Sequence, residues 1–457
     1  MSSNIDFFPT PSKALQASPK GSSPAIYPGV TSEGTETLRA ILRENHEKYH
    51  IFYNEMKFVN HLGHRALAVW ALGAGKDVIQ KTFDDDSKMQ KPRGTTPKPI
   101  TRQNFNEHLG DPKFYDGYLT YFANLVRAGR TPGQLLEEYI FSPDMNTPNG
   151  AGENPQMLAR FLDGVFHSMI WTGYGIEFGL PGIIAEALAQ AAVYTTQLAP
   201  LVSGYFSPSV VKSEPESIHA FSVIARIRDD KNVRIPPADA RDFPNALKFV
   251  LKNDTAGILG HVAAWSDFED SEIDRKMEEV IWANTLIYGS CGVKNEGFNA
   301  DFFGMHTVTS SLFLPTVLSV LSPASQKLLL PAYFTIILSV WIYRGKPALN
   351  VRTLFNGHVP SPFPTTSNYG VKRNPWFDLI NHSIVHPDDH LVKLHRALAH
   401  FASLYGSTKA GELAHASAEL DGTELVDGTL WLRAAVLTAN RVEELDARGY
   451  WDRLGYF

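Results

Sequence analysis

His390 and Lys393 stand three residues apart in "HPDDHLVKLHRALAH" (386–400), a spacing that puts an imidazole and an amine one turn apart on a single helix. At about 100° per residue, His390, Lys393, Leu394, Ala397, Phe401 and Leu404 share one face. His395 and Arg396 point elsewhere and read as surface residues, with His386 and His400 as bystanders. Pro387 suits the first helical position, and Asp388 and Asp389 suit the positive end of the helix dipole. A lysine on an apolar face is costly to desolvate, so it needs a reason. Snorkelling or an internal ion pair is one. The other is chemical: a buried amine held neutral reacts with carbon dioxide to give a carbamate, whose oxygens ligate a metal as a carboxylate does.

Three further segments place histidines in apolar helical surroundings. His61, with His64 three residues on, opens "NHLGHRALAVWALGA" (60–74). In "LARFLDGVFHSMIWTGYGIEF" (158–178) the stripe Leu158, Leu162, Val165 and Met169 faces one way, while Asp163, His167, Trp171 and Tyr174 line the other, with Asp163 placed to orient the imidazole. His306 begins "HTVTSSLFL", with Thr309, Ser310 and Phe313 below it. Each histidine alone is an ordinary core residue. Together, neutral imidazoles on the inward faces of several helices are the material of iron or zinc sites. No pair matches a zinc finger or a His-Glu-x-x-His helix.

The elements that must position these residues are helices. Apolar residues recur at helical spacing after residue 35, and few alternating runs suggest strands, so the expected fold is mainly α. Helices are expected near 35–56, 56–73, 115–128, 155–178, 181–200, 243–252, 272–286, 305–322, 325–344, 387–405, 408–419 and 430–442. Long Pro/Gly-rich loops are expected at 84–104, 206–217 and 355–375. Residues 1–34, rich in Ser and Pro, read as a loosely ordered arm, and 35–457 as a single large multi-helix domain with a metal site buried between helices. The run "LLLPAYFTIILSVWIYRG" (328–345), interrupted by Pro331, reads as buried core and not as a membrane span.

Composition narrows the function classes. A chain of 457 residues with 44% hydrophobic and 20% charged residues reads as globular, and a net charge of -6 without basic clusters argues against a nucleic-acid partner. One cysteine, Cys291, and no signal-peptide pattern at the start suggest an intracellular, cytoplasmic protein. "LGAGKD" (72–77) lacks the first glycine and final Ser/Thr of a phosphate loop, and "GYGIEFG" (173–179) lacks the third glycine of a dinucleotide fingerprint. Cys291 has no local sign of activation and reads as plain core.

Four segments in order, 60–74, 167–178 with "AEALAQAA" (185–192), "DFFGMHTVTSS" (301–311) and "DDHLVKLHRAL" (388–398), resemble the questin oxidase family of fungal secondary-metabolite enzymes acting on anthraquinones and related polyketides. The resemblance implies a mononuclear non-heme Fe(II) site with His61, His167, His306, His390 and a carboxylated Lys393 as ligands. His64 would then lie one layer out, with Asp163. Lys393, His64 and Tyr174 are expected to take part in catalysis, and Trp171, Tyr174, Phe178 and Phe313 to form flat walls for an aromatic substrate. Related fungal sequences often read His-Pro-Leu-Ile-His where this chain has Ser168 and Trp171, which bears on the pocket more than on the metal.

The implied activity is an oxygenase that uses O2 to open a ring of an anthraquinone-like polyketide beside the quinone carbonyl. Dioxygenase and monooxygenase stoichiometries both stay open. The alternative is an NADPH-dependent Baeyer-Villiger monooxygenase, with NADPH as an external reductant because no nucleotide-binding motif is present. A metal-free helical binding protein for hydrophobic metabolites is the reading from another class.

Overall fold

A computed structural model of the chain describes residues 5–12, 24–148, 154–206, 218–294, 297–359, 362–363, 366, 370–446 and 449–457. Among the described residues helices dominate and extended pairing is confined to isolated bridges, so the fold is mainly α as the periodicity implies. The chain divides into two compact units, Met1–Pro208 with Leu312–Gln326, and Ser209–Ser311 with Lys327–Phe457.

In the first unit, helices Ser32–Lys48, Leu62–Ala71 and Lys76–Asp86 pack on one another, and Pro181–Val193 packs against both Tyr115–Arg127 and Met157–Phe178. Thr31 starts the first of these by accepting the Gly34 amide at 3.1 Å. Gly179, at φ 63, ends Met157–Phe178 in the left-handed conformation that glycine adopts without strain, and Pro181 begins the next helix. That next helix is apolar except for Glu186 and Gln190 and is buried along its length from Gly182. Residues 5–12, read from composition as part of a loose arm, lie against it. The Phe7 carbonyl accepts the Gly182 amide at 2.9 Å, and Phe8 is 2% exposed. Residues 1–4 and 13–23 of that arm lie outside the described residues.

In the second unit, Leu391–Tyr405 packs against Phe302–Ser311, Pro375–Val385 and Leu430–Glu444, and Ile273–Gly292 packs against Phe302–Ser311 and Leu430–Glu444. Asp301 anchors this arrangement. Its Oδ1 accepts the Phe303 and Gly304 amides, starting the His306 helix, while its Oδ2 takes two hydrogen bonds from the buried Arg344 guanidinium at 2.9 and 2.6 Å.

Several boundaries differ from the sequence expectation. The helices expected at 35–56 and 56–73 end at Lys48 and begin at Leu62, with bridges such as Phe52↔Val59 between them. The one expected at 305–322 is two, Phe302–Ser311 and Leu314–Leu318, with Pro315 in the first turn of the second. Residues 408–419 form turns with one 3-10 segment, Ala414–Ala416. Their good helix formers lack a continuous apolar face to bury. Helices Lys76–Asp86, Ala220–Asp229, Thr255–Ser266 and Pro375–Val385 were not anticipated. The first of them takes the start of the expected loop 84–104. Residues 207–217 lie outside the described residues, as do 360–361, 364–365 and 367–369 of the loop 355–375. Pro331 does not interrupt its helix, which runs from Pro323 to Tyr343. That helix is long and apolar enough to cross a membrane by length and composition, and 83% of its apolar window is buried inside the protein.

Candidate metal centre

His61 is placed by its neighbour. The buried Asn60 amide donates to Asn45 Oδ1 at 2.7 Å and to the His50 carbonyl at 3.2 Å, while its Oδ1 accepts the Leu62 amide. The chain is thereby fixed where it enters Leu62–Ala71, and His61 becomes that helix's N-terminal cap residue. The His61 ring lies nearly parallel to His167, centroids 4.9 Å apart, and the two Nε2 atoms approach to 2.7 Å.

His167 follows a break in its helix. Gly164, Val165 and Phe166 have φ of 56°, 53° and 68°, a run of left-handed residues that splits Met157–Phe178 in two. For Val165, whose side chain branches at Cβ, this conformation is strained. The break turns the Gly164 carbonyl onto His167 Nδ1. The helical stripe drawn through residues 158–178 therefore does not hold. The Asp163 carboxylate serves Gly164 N, Thr195 Oγ1 and Gln197 N, so Gly164 and not Asp163 orients the imidazole. Burial pushes the Asp163 carboxyl up, partly offset by those three donors.

His64 lies flat on Trp171, centroids 4.5 Å apart and planes 9° from parallel, and 5.2 Å from His61. The indole is clamped. Its Nε1 donates to Glu186 Oε2 at 2.9 Å, and Glu186 Oε1 lies 2.7 Å from His46 Nδ1. Gly63 permits the stack, because a Cβ there would sit 2.4 Å from the indole Cη2. Tyr174 packs on Phe313 at 4.5 Å and on Phe178 at 6.2 Å. All four proposed wall residues are at most 1% exposed and fill one another's faces.

In the second unit, His306 and His390 stand edge to face, centroids 5.0 Å apart, with Phe302 beside both. His306 Nδ1 donates to the Phe302 carbonyl at 2.7 Å. His390 Nδ1 lies 2.9 Å from Asp389 Oδ1, and Asp389 Oδ2 accepts from Lys393 Nζ at 3.1 Å. Burial alone would pull the His390 imidazole down, but Asp389, assisted by Asp388, holds it above the usual histidine value. Asp388 Oδ1 takes the His390 and Leu391 amides, so the helix starts at Leu391 with His390 as its cap, and Pro387 stays outside it.

Each unit thus brings a histidine pair together, His61 with His167 and His306 with His390. Lys393 is buried at 3% exposure beside Asp389. His386, His395, Arg396 and His400, expected to be peripheral, are all buried too, because three helices surround Leu391–Tyr405. Sequence reasoning missed Asp389 as the shared partner of His390 and Lys393, although its i,i+4 spacing to the lysine was readable. Glu186 and the Gly164 carbonyl left no local signal.

The donor set suits a metal. Imidazoles that ligate through Nε2 commonly give the Nδ1 proton to a carbonyl or carboxylate, and His167, His306 and His390 all do so. Among known proteins, a family model described as Questin oxidase-like matches residues 58–398. Curated relatives include a questin oxidase of Aspergillus terreus, 24% identical over 91% of this chain and 90% of its own length. A questin oxidase of Aspergillus fumigatus is 27% identical over 88% and 87%. A Baeyer-Villiger oxidase of Pestalotiopsis fici is 25% identical over 91% and 90%.

Proposed function

The chain belongs to the questin oxidase-like family, and from that premise we propose that it is an oxygenase opening a ring of an anthraquinone-like polyketide beside the quinone carbonyl. In this reading one non-heme iron is held by His61, His167, His306, His390 and a carboxylated Lys393. Its relatives are named as oxidases, and an oxidoreductase is the class they share.

The observation that carries the metal is the shared posture of three imidazoles. His167, His306 and His390 each turn Nδ1 to an oxygen, the posture in which an imidazole that binds a cation through Nε2 is commonly held. Iron, when bound, would supply the dioxygen activation an oxygenase needs. Asp389 sets the charge around His390 and Lys393. Trp171, Phe178 and Phe313 exclude water, and with Tyr174 they offer flat faces once they part around a planar substrate. Tyr174 Oη and the His64 ring are the proton carriers on that wall.

Two observations favour variants of this reading. The 3.1 Å pair between Lys393 and Asp389 favours a lysine that stays an ammonium. The name of the Pestalotiopsis relative favours a Baeyer-Villiger monooxygenase, with NADPH as an external reductant. Isotope-labelled bicarbonate and carbon NMR distinguish carbamate from ammonium, and labelled O2 counts the oxygen atoms incorporated.

The test of the whole is metal content. Freshly purified protein is expected to hold about one equivalent of iron, and Lys393→Ala to lose both the iron and the turnover. Full turnover with less than about a tenth of an equivalent would sink the oxygenase mechanism, and a wild-type rate in Lys393→Ala would remove the lysine from it.

A further inference from the structure

A second cluster in the second unit is not used by the reaction above. His382 stands in the last turn of Pro375–Val385 and His386 ends that helix, four residues on and on the same face. Glu443 reaches them from Leu430–Glu444. Its Oε1 lies 3.0 Å from His382 Nε2 and 3.5 Å from His386 Nε2, and one donor atom from each of the three residues falls within 4.8 Å of the others. Ligands bound to zinc at about 2.0–2.1 Å and tetrahedral angles stand roughly 3.3 Å apart, and the two distances from Glu443 Oε1 to the imidazoles, 3.0 and 3.5 Å, bracket that spacing.

The alignment also points to a cation. His382 Nε2 is buried and makes no hydrogen bond, although the carboxylate oxygen is only 3.0 Å away. Nitrogen and oxygen are near each other without being aimed at each other, as two ligands of one ion are. The rings of Phe363 and Tyr450 flank His382 and His386 at 5.3 and 4.9 Å and frame the cluster. The Glu443 side chain is 52% exposed, which gives an ion a way in and leaves room for water as a further ligand.

We propose that His382, His386 and Glu443 form a divalent-cation site of the zinc class that ties the end of Pro375–Val385 to Leu430–Glu444. Ligation has one opponent. His386 Nδ1 accepts the Asp388 amide at 3.1 Å, so binding through Nε2 moves the ring proton to Nδ1 and gives up that bond. That shift conserves the proton count; pH enters because protons compete with the cation for imidazole nitrogen, so binding strengthens as pH rises. The site does not depend on the iron reading, because its residues are separate from the iron ligands.

The test is a zinc titration of the full metal-stripped chain against a chromophoric chelator, with H382A, E443Q and H167A alongside. Wild type is expected to hold one more equivalent than H382A or E443Q, with the affinity for that equivalent falling at least about tenfold in either. H167A should keep it, and cobalt(II) added instead should give visible bands in wild type that E443Q lacks. Glu443 is half exposed, so E443Q decides the matter if H382A fails to fold. Equal stoichiometry and affinity in wild type and E443Q would overturn the proposal, as would loss of that equivalent in H167A.

Discussion

At the scale of single residues, the indole of Trp171 is the most constrained group near the first histidine pair. It is held from one side by Gly63, where a Cβ would meet it at 2.4 Å, and from the other by the Glu186 carboxylate at 2.9 Å. Gly63→Ala is expected to destabilise the chain by about 1–3 kcal/mol through overpacking, seen as a lower urea midpoint. A midpoint equal to wild type would mean that the indole yields without strain. Glu186→Ala strands the Trp171 N–H and should cost about 1–3 kcal/mol, whereas Glu186→Gln keeps an acceptor and should cost less. Equal losses in the two variants would assign the effect to packing rather than to the hydrogen bond.

At the scale of elements, the break in Met157–Phe178 is what aims His167. Three consecutive left-handed residues carry roughly 1–2 kcal/mol of strain at each position other than glycine, and Val165 at φ 53 is the least suited to it. Val165→Gly is therefore expected to raise stability by about 1 kcal/mol in urea unfolding, less the entropy glycine adds to the unfolded chain. A loss of stability would show that the Val165 side chain holds the break in place. Gly164→Ala should act the other way, because its Cβ would fall 2.0 Å from Tyr194 Oη at a φ of 56°. Lower metal retention would accompany it if the Gly164 carbonyl orients His167.

At the scale of the whole molecule, histidines whose imidazoles are pushed down contribute to the response to acid. Burial is the main cause that lowers His219 to about 4 and His400 to about 3, and His219 also accepts the Phe221 amide as a helix cap. Both folded values lie below the ordinary 6.5. The unfolded chain thus takes up protons first, and the stability is present above pH 6.5 and drains away as pH falls through 4 and then 3. The slope is about 1.4 kcal/mol per pH unit for each histidine. His400→Leu should flatten the pH dependence of unfolding in that window, and an unchanged slope would mean that His400 is already protonated in the folded chain.

Residue order suffices to read this chain as helical and to single out His61, His167, His306, His390 and Lys393 in apolar surroundings, because apolar periodicity is a local property of the chain; His61 is nevertheless only partly buried, and it and His390 cap their helices. The family resemblance was legible for the same reason, in four short segments. The i,i+4 relation of Asp389 to Lys393 was legible too, though its aspartates read as a helix-end charge pattern. Tertiary packing, in contrast, buries His386, His395, Arg396 and His400, since their burial depends on helices distant in sequence closing round Leu391–Tyr405. It alone decided that His167 is oriented by a left-handed break, because Val165 and Phe166 carry no sequence signal for positive φ and the surrounding fold imposes it. It also brought Glu443 to His382 and His386, a meeting of two helices that spacing along the chain does not encode.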